Sequence, residues 1–235
     1  MITCSVCKTQ NDEYAITCGN CKSYIQNRIP NLDFFETVWK VIESPKKAFH
    51  DITLAEHKNY SLLLFALFGV ALSFTGFWYF RLGTRFDSLL DLLGKAAGIG
   101  IIVGFASAVL FTLFFEMMIK LFGGKGTVRN SLGLLAYATT PVALSLVMIL
   151  PIELLTFGMF LFTSNPDPST IKPGMYVTLI AFDALMALWA VMLGIMGASV
   201  GKQVSYGKAV ISVVVSTAGS LGVLFMVARY LVRTL

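Results

Sequence analysis

Four cysteines crowd into the first 21 residues, spaced as Cys4-Ser-Val-Cys7, ten further residues, then Cys18-Gly-Asn-Cys21. Two C-x2-C knuckles can present four thiolates as a tetrahedron, the geometry of structural zinc, with Zn–S near ~2.3 Å. A two-residue gap lets both sulfurs of one knuckle reach the same ion. Lys8 and Gly19 sit where a tight turn would aim backbone N–H groups at sulfur. A four-sulfur shell leaves no open position for substrate water, so the expected role of Zn2+ on Cys4, Cys7, Cys18 and Cys21 is structural. The competing readings are a pair of redox dithiols or four unrelated thiols. His50 and His57 lie far along the chain and are expected at the surface near a membrane, not on the metal.

Three carboxylates form the second group able to do chemistry. Glu116, Glu153 and Asp183 each fall inside a long apolar run. A bare carboxylate at membrane depth costs at least ~2.5–3.5 kcal/mol on insertion scales, so each needs a partner, water or a proton. Glu153 and Asp183 are expected to approach each other, with Arg81 or Arg85 as cationic partners. Glu116 is expected to meet Lys120 one turn on. A cation or proton path is the functional reading, and buried structural pairing is the expectation. Pro141 frees the carbonyl of Tyr137 and should kink its helix, with Thr139 and Thr140 at hand to satisfy the freed groups. Gly123-Gly124-Lys125-Gly126-Thr127 lacks the G-x4-G-K-[ST] spacing and has no preceding strand, so it is a turn and not a P-loop. Nucleophile-elbow, HExxH and triad patterns are absent, as are aromatic–basic arrays suited to nucleic acid.

The elements that must position these groups are membrane helices. Five apolar stretches run over residues 59–80, 96–122, 131–162, 175–200 and 209–232, each near or above the ~20 residues that cross a bilayer. Apolar residues make up 56% of the chain and charged ones 13%, which excludes an ordinary soluble domain. The expected fold is an all-α polytopic membrane protein: a zinc-ribbon head over 1–30, amphipathic juxtamembrane helices over 31–58, and a five-helix bundle over 59–235. Small residues supply the contacts between helices in lipid. Asp183, Ala187, Ala190, Gly194, Gly197 and Gly201 share one face of the fourth span. Gly100, Gly104 and Ser107 on the second, and Ser212, Ser216 and Gly219 on the fifth, do the same.

The head carries seven basic and seven acidic residues, so the net charge of +5 arises in the loops. Twelve Lys/Arg fall on the side of the N-terminus and six on the other, which predicts a cytosolic N-terminus and an external C-terminus. The polar first 30 residues contain no apolar h-region, so the first span is expected to act as an uncleaved insertion signal. A cytosolic head disfavours disulfides. In the stalk, Phe35, Val38, Trp39 and Ile42 recur at helical spacing over 31–43. Ser44 and Pro45 then suggest an N-cap and first turn of a second helix. Its Lys46 and Lys47 would meet headgroups while Phe49 and Ile52 dip inward, or the pair of helices packs on the bundle.

From Glu43 onward, Pro45-x3-Phe49, the Gly123–Gly126 loop and above all Ala136-Tyr137-Ala138-Thr139-Thr140-Pro141 carry a likeness to a known family. The chain resembles the Yip domain family, five-span membrane proteins that interact with Ypt/Rab GTPases. The resemblance implies a cytosolic N-terminus and a role in membrane traffic. The head departs from eukaryotic members, and the Asp-Leu-Tyr-Gly-Pro type motif is missing, so Rab binding does not carry over. The combination is similar to prokaryotic relatives and points to a prokaryotic cytoplasmic membrane. The expected function is a non-enzymatic scaffold whose head binds a cytosolic protein while the bundle organises the lipid bilayer. The alternative is a small ion or solute transporter using the buried acids, with a homo-oligomer as its candidate assembly.

Overall fold

Apolar runs this long satisfy their backbone only as helices, and helices dominate the computed structural model. It describes residues 1–27 and 29–234; Arg28, counted among the head cations, and Leu235 lie outside the described residues. A two-stranded antiparallel ribbon, β1 (Ile2–Thr3) with β2 (Gln10–Asn11), opens the chain. Two short helices follow, α1 (Phe34–Glu43) and α2 (Pro45–Leu54). The spans are α3 (Ser61–Tyr79), α4 (Leu89–Leu121), the broken pair α5 (Val128–Ala138) and α6 (Thr140–Phe157), α8 (Pro173–Lys202) and α9 (Tyr206–Thr234), with α7 (Pro168–Ile171) before α8. Among the described residues, five helical segments are long and apolar enough to cross a bilayer, and the chain is an integral multi-pass membrane protein.

Asp33 caps α1, accepting from the Glu36 N–H at 2.8 Å, so the helix starts at Phe34 and not at Asn31. Ser44 ends α1 by donating its N–H to Lys40 O and begins α2 by accepting from the Ala48 N–H. It does this through backbone alone, without a side-chain cap. The expected Phe35–Trp39 stripe faces outward: Phe35 is 80% exposed and Trp39 64% exposed, while Thr37 and Val41 are buried. Helix α2 packs on the bundle through Phe49 and Ile52, both fully buried, against α8 and α5.

The tightest helix pair is α3 with α4. A Cβ on Gly69 would lie 2.1 Å from Gly104 N, and one on Gly104 would lie 2.4 Å from Phe65 O. Backbone therefore meets backbone, as small-residue seams allow in lipid. Gly104→Ala is expected to destabilise by about 1–3 kcal/mol through overpacking. Gly98→Ala on the same helix, with open space at that position, should cost nothing. Thermal unfolding of both variants in detergent checks this; equal melting temperatures would contradict the close crossing.

Between α5 and α6 the helix breaks at Thr139, where Pro141 enters at the start of α6. The hydroxyl of Thr140 donates to the freed Tyr137 carbonyl at 2.7 Å, and that of Thr139 to Ala136 O at 2.7 Å. Tyr137 is fully buried, and its hydroxyl donates to Asn59 O at 2.9 Å, tying the break to the start of α3.

Candidate functional site

The four cysteines converge. Their sulfurs lie within 4.8 Å of one another, with Cys4–Cys21 at 3.6 Å and Cys7–Cys18 at 3.4 Å, and together they could hold a metal ion. Each knuckle closes by the same device. The N–H of Lys8 bonds Cys4 O, that of Lys22 bonds Cys18 O, and both lysines adopt positive φ, 60° and 58°. Lys22, not Gly19, is thus the counterpart of Lys8. Asn11 ties the knuckles together: its amide donates to Thr9 O at 2.9 Å and Cys18 Sγ at 3.6 Å, while its oxygen accepts the Gly19 N–H at 2.9 Å. Ser23 Oγ lies 3.2 Å from Cys4 Sγ and 3.0 Å from Cys21 Sγ. The side-chain hydrogen bond with Thr9 and the Thr9 backbone N–H hold the Cys7 thiol down to about 5, and the Cys7 backbone N–H with Ser23 lowers Cys4. The thiolate, the form that binds metal, is therefore favoured at Cys7, whereas the neighbouring Cys7 sulfur pushes the Cys21 thiol up. Neither His50 nor His57 joins the cluster: His50 stacks near Tyr14 at 5.2 Å and His57 meets Arg129 at 3.2 Å.

The stretch between the knuckles docks on the bundle. Asp12 accepts from Gln203 Nε2 at 3.0 Å and faces Lys125 Nζ at 3.5 Å, while the Tyr14 hydroxyl donates to Val200 O. The Tyr14 N–H foremost, then Gln203 and Lys125, keep the Asp12 carboxyl below its ordinary range. Burial raises the Tyr14 phenol. Asp12→Ala combined with Tyr14→Phe is expected to free the head while leaving the cysteine cluster formed. Spin-label distances from head to α8 should broaden; an unchanged distribution would contradict this docking.

Glu116 has a partner that its spacing did not suggest. Lys202 Nζ lies 2.6 Å from Glu116 Oε1 and donates to Thr127 O at 3.0 Å, and Ser131 Oγ donates to the same carboxylate oxygen at 2.6 Å. Lys120 stands 3.9 Å from Oε2 and is 63% exposed, a minor contact. The ion pair joins α4, α5 and α8 at the head end of the bundle. The 123–127 turn is stapled beside it by the Lys125 N–H to Lys202 O at 3.0 Å. A signal for Lys202 was present: Gly194, Ala198 and Lys202 recur at i, i+4, i+8 and are all buried.

Glu153 and Asp183 line one space, but the cationic partners expected for them go elsewhere. Arg81 pairs with Asp167 at 3.2 Å and Arg85 donates to Val232 O at 3.3 Å. Asp183 accepts instead from Ser145 Oγ. The space is a half-open, mainly apolar cavity of about 410 Å3 between α3, α6, α8 and α9. The small-residue face of α8 divides accordingly. Gly197 and Gly201 meet Phe49 and Leu134, whereas Ala187 and Ala190 border the cavity with Asp183. Tyr137 and Pro141 stand apart from the acids, at the break between α5 and α6.

No curated protein and no solved structure matches the chain. The sequence pattern of the Yip1 domain matches residues 39–229, from within α1 to the last turns of α9. With five apolar spans and more than half of its length matched, the chain belongs to the Yip1 domain family.

Proposed function

We propose that this protein is a non-enzymatic scaffold that holds a zinc-clamped head on the cytosolic face of a five-helix bundle for a cytosolic protein to bind. The observation that carries this reading is the attachment of the head. Tyr14 fastens it to α8 and Asp12 to Gln203, just past α8, and to Lys125, while Val6 and Tyr24 stand 69% and 72% exposed. Zinc suits the site because sulfur pairs 3.4 and 3.6 Å apart fit a tetrahedral four-thiolate shell, and such a shell is structural. The excess of Lys and Arg on the head side supports a cytosolic N-terminus and external C-terminus. Residues 1–30, 31–58 and 59–235 are proposed as head, stalk and bundle.

Photo-crosslinkers at Val6 and Tyr24 in cells test the reading. A recurring cytosolic protein should be captured by the intact chain and lost on Cys18→Ser. Identical capture patterns from both proteins would contradict it. A second reading, transport, is favoured by Glu153 and Asp183 bordering the same cavity. Asp183→Asn in proteoliposomes separates the two: lost flux supports transport, and unchanged flux supports the scaffold.

A further inference from the structure

A buried carboxylate normally finds a cation, a cluster of donors or water. Glu153 is 7% exposed, and no described residue gives it a hydrogen bond or an ion pair. Its side chain borders the cavity shared with Asp183, whose one described partner is the neutral Ser145 hydroxyl. Arg81 and Arg85 are committed elsewhere, to Asp167 and to the end of α9, and Lys202 pairs with Glu116 at the head end of the bundle. Two acids and no base thus face one space deep among the spans.

The remaining wall is mainly hydrocarbon and aromatic, with Thr75, Thr139 and Thr217 as its neutral polar members. Phe68, Phe74, Trp78 and Phe111 border the cavity from α3 and α4, with Phe68 and Phe111 meeting edge to face at 5.5 Å. Aromatic faces attract desolvated ammonium groups, and apolar walls reward a hydrocarbon chain. A volume of about 410 Å3 falls within the roughly 300–1,000 Å3 of small-molecule sites. The cavity is half-open, so a longer chain can extend beyond it.

We propose that this cavity binds a protonated amine carrying an apolar body, its ammonium between Glu153 and Asp183 and its chain along the aromatic wall. Ser145 is then a positioning residue, orienting the Asp183 carboxylate toward the cavity. Glu153 and Ser145 lie eight residues apart with buried Ile149 midway, so one face of α6 presents both. The inference goes beyond the scaffold reading and does not depend on flux.

The test uses the full chain in phosphatidylcholine vesicles with a photoactivatable dodecylamine, followed by peptide mapping. Labelling should be saturable, should fall on α6 and α8, and should be displaced by dodecylamine more than about tenfold better than by dodecanol or butylamine. Glu153→Gln with Asp183→Asn should weaken labelling by a similar factor. Equal displacement by dodecanol would overturn the role of the acids, and equal displacement by butylamine that of the wall. Unsaturable labelling would overturn the site altogether. If the double variant fails to fold, the comparison of amine with alcohol on the native chain still decides. Loss of dodecylamine selectivity leaves the crosslinking result at Val6 and Tyr24 unaffected, so the two proposals fail separately.

Discussion

Stripping the proposed zinc from the four cysteines is expected to unfold the head and leave the helical bundle standing. The head has little else to hold it: β1 and β2 are two residues each, and Cys4 and Cys18 are its buried apolar centre. Four-thiolate binding contributes about 10–16 kcal/mol to small zinc modules, more than a core of this size can supply. A strong chelator, or Cys18→Ser, should therefore abolish amide protection at Cys4, Lys8, Cys18 and Lys22, whose N–H groups close the knuckles. Contacts of Asp12 with Gln203 and Lys125, and of Tyr14 with α8, should loosen in step. The α3–α4 seam and the Glu116 cluster share no residue with the head, so the melting of α3 to α9 should change little. Hydrogen exchange resolves both regions in one experiment. Protected knuckles in metal-free protein would contradict the structural role of the metal.

The second large effect belongs to the Glu116–Lys202 pair. Lys202 is fully buried and Glu116 is 7% exposed, so removing either partner leaves a charge in a low-dielectric interior. Breaking such a pair costs about 3–5 kcal/mol, whereas replacing both partners by apolar residues is often neutral. Lys202→Met leaves the carboxylate only the Ser131 hydroxyl and the 3.9 Å contact with exposed Lys120, its Oε2 already lacking a hydrogen bond. Glu116→Leu strands the ammonium against Thr127 O alone. Each single variant should melt far below the native protein, and the double variant should recover most of the loss. A thermal double-mutant cycle in detergent measures this. Additive losses would show that the two side chains act independently.

Much of this architecture was legible locally. Span lengths follow from apolar runs, since lipid leaves helix as the form that satisfies the backbone of each. The cysteine cluster follows from two short spacings and needs no knowledge of distant residues. The break at Thr139 and the donation by Thr140 follow from the missing N–H of Pro141. What escaped the sequence is long-range or two-faced. Lys202 and Glu116 stand 86 residues apart, and a lysine beside a loop counts naturally as a topology signal. Helix α1 carries two apolar stripes, and only the packing of α2 and α5 decides that Val41 turns inward while Phe35 and Trp39 turn outward. The arginines assigned to Glu153 and Asp183 were near enough in sequence order, yet Asp167 and the end of α9 hold them at the loop level.

The proposed arrangement of head and tail about the bilayer can be read directly. Reporters whose activity depends on compartment, fused before Met1 and after the C-terminus, should fall on opposite sides, with the N-terminal one in the cytosol. Both reporters on one side, or the N-terminal reporter outside, would contradict five crossings beneath a cytosolic metal-bound head.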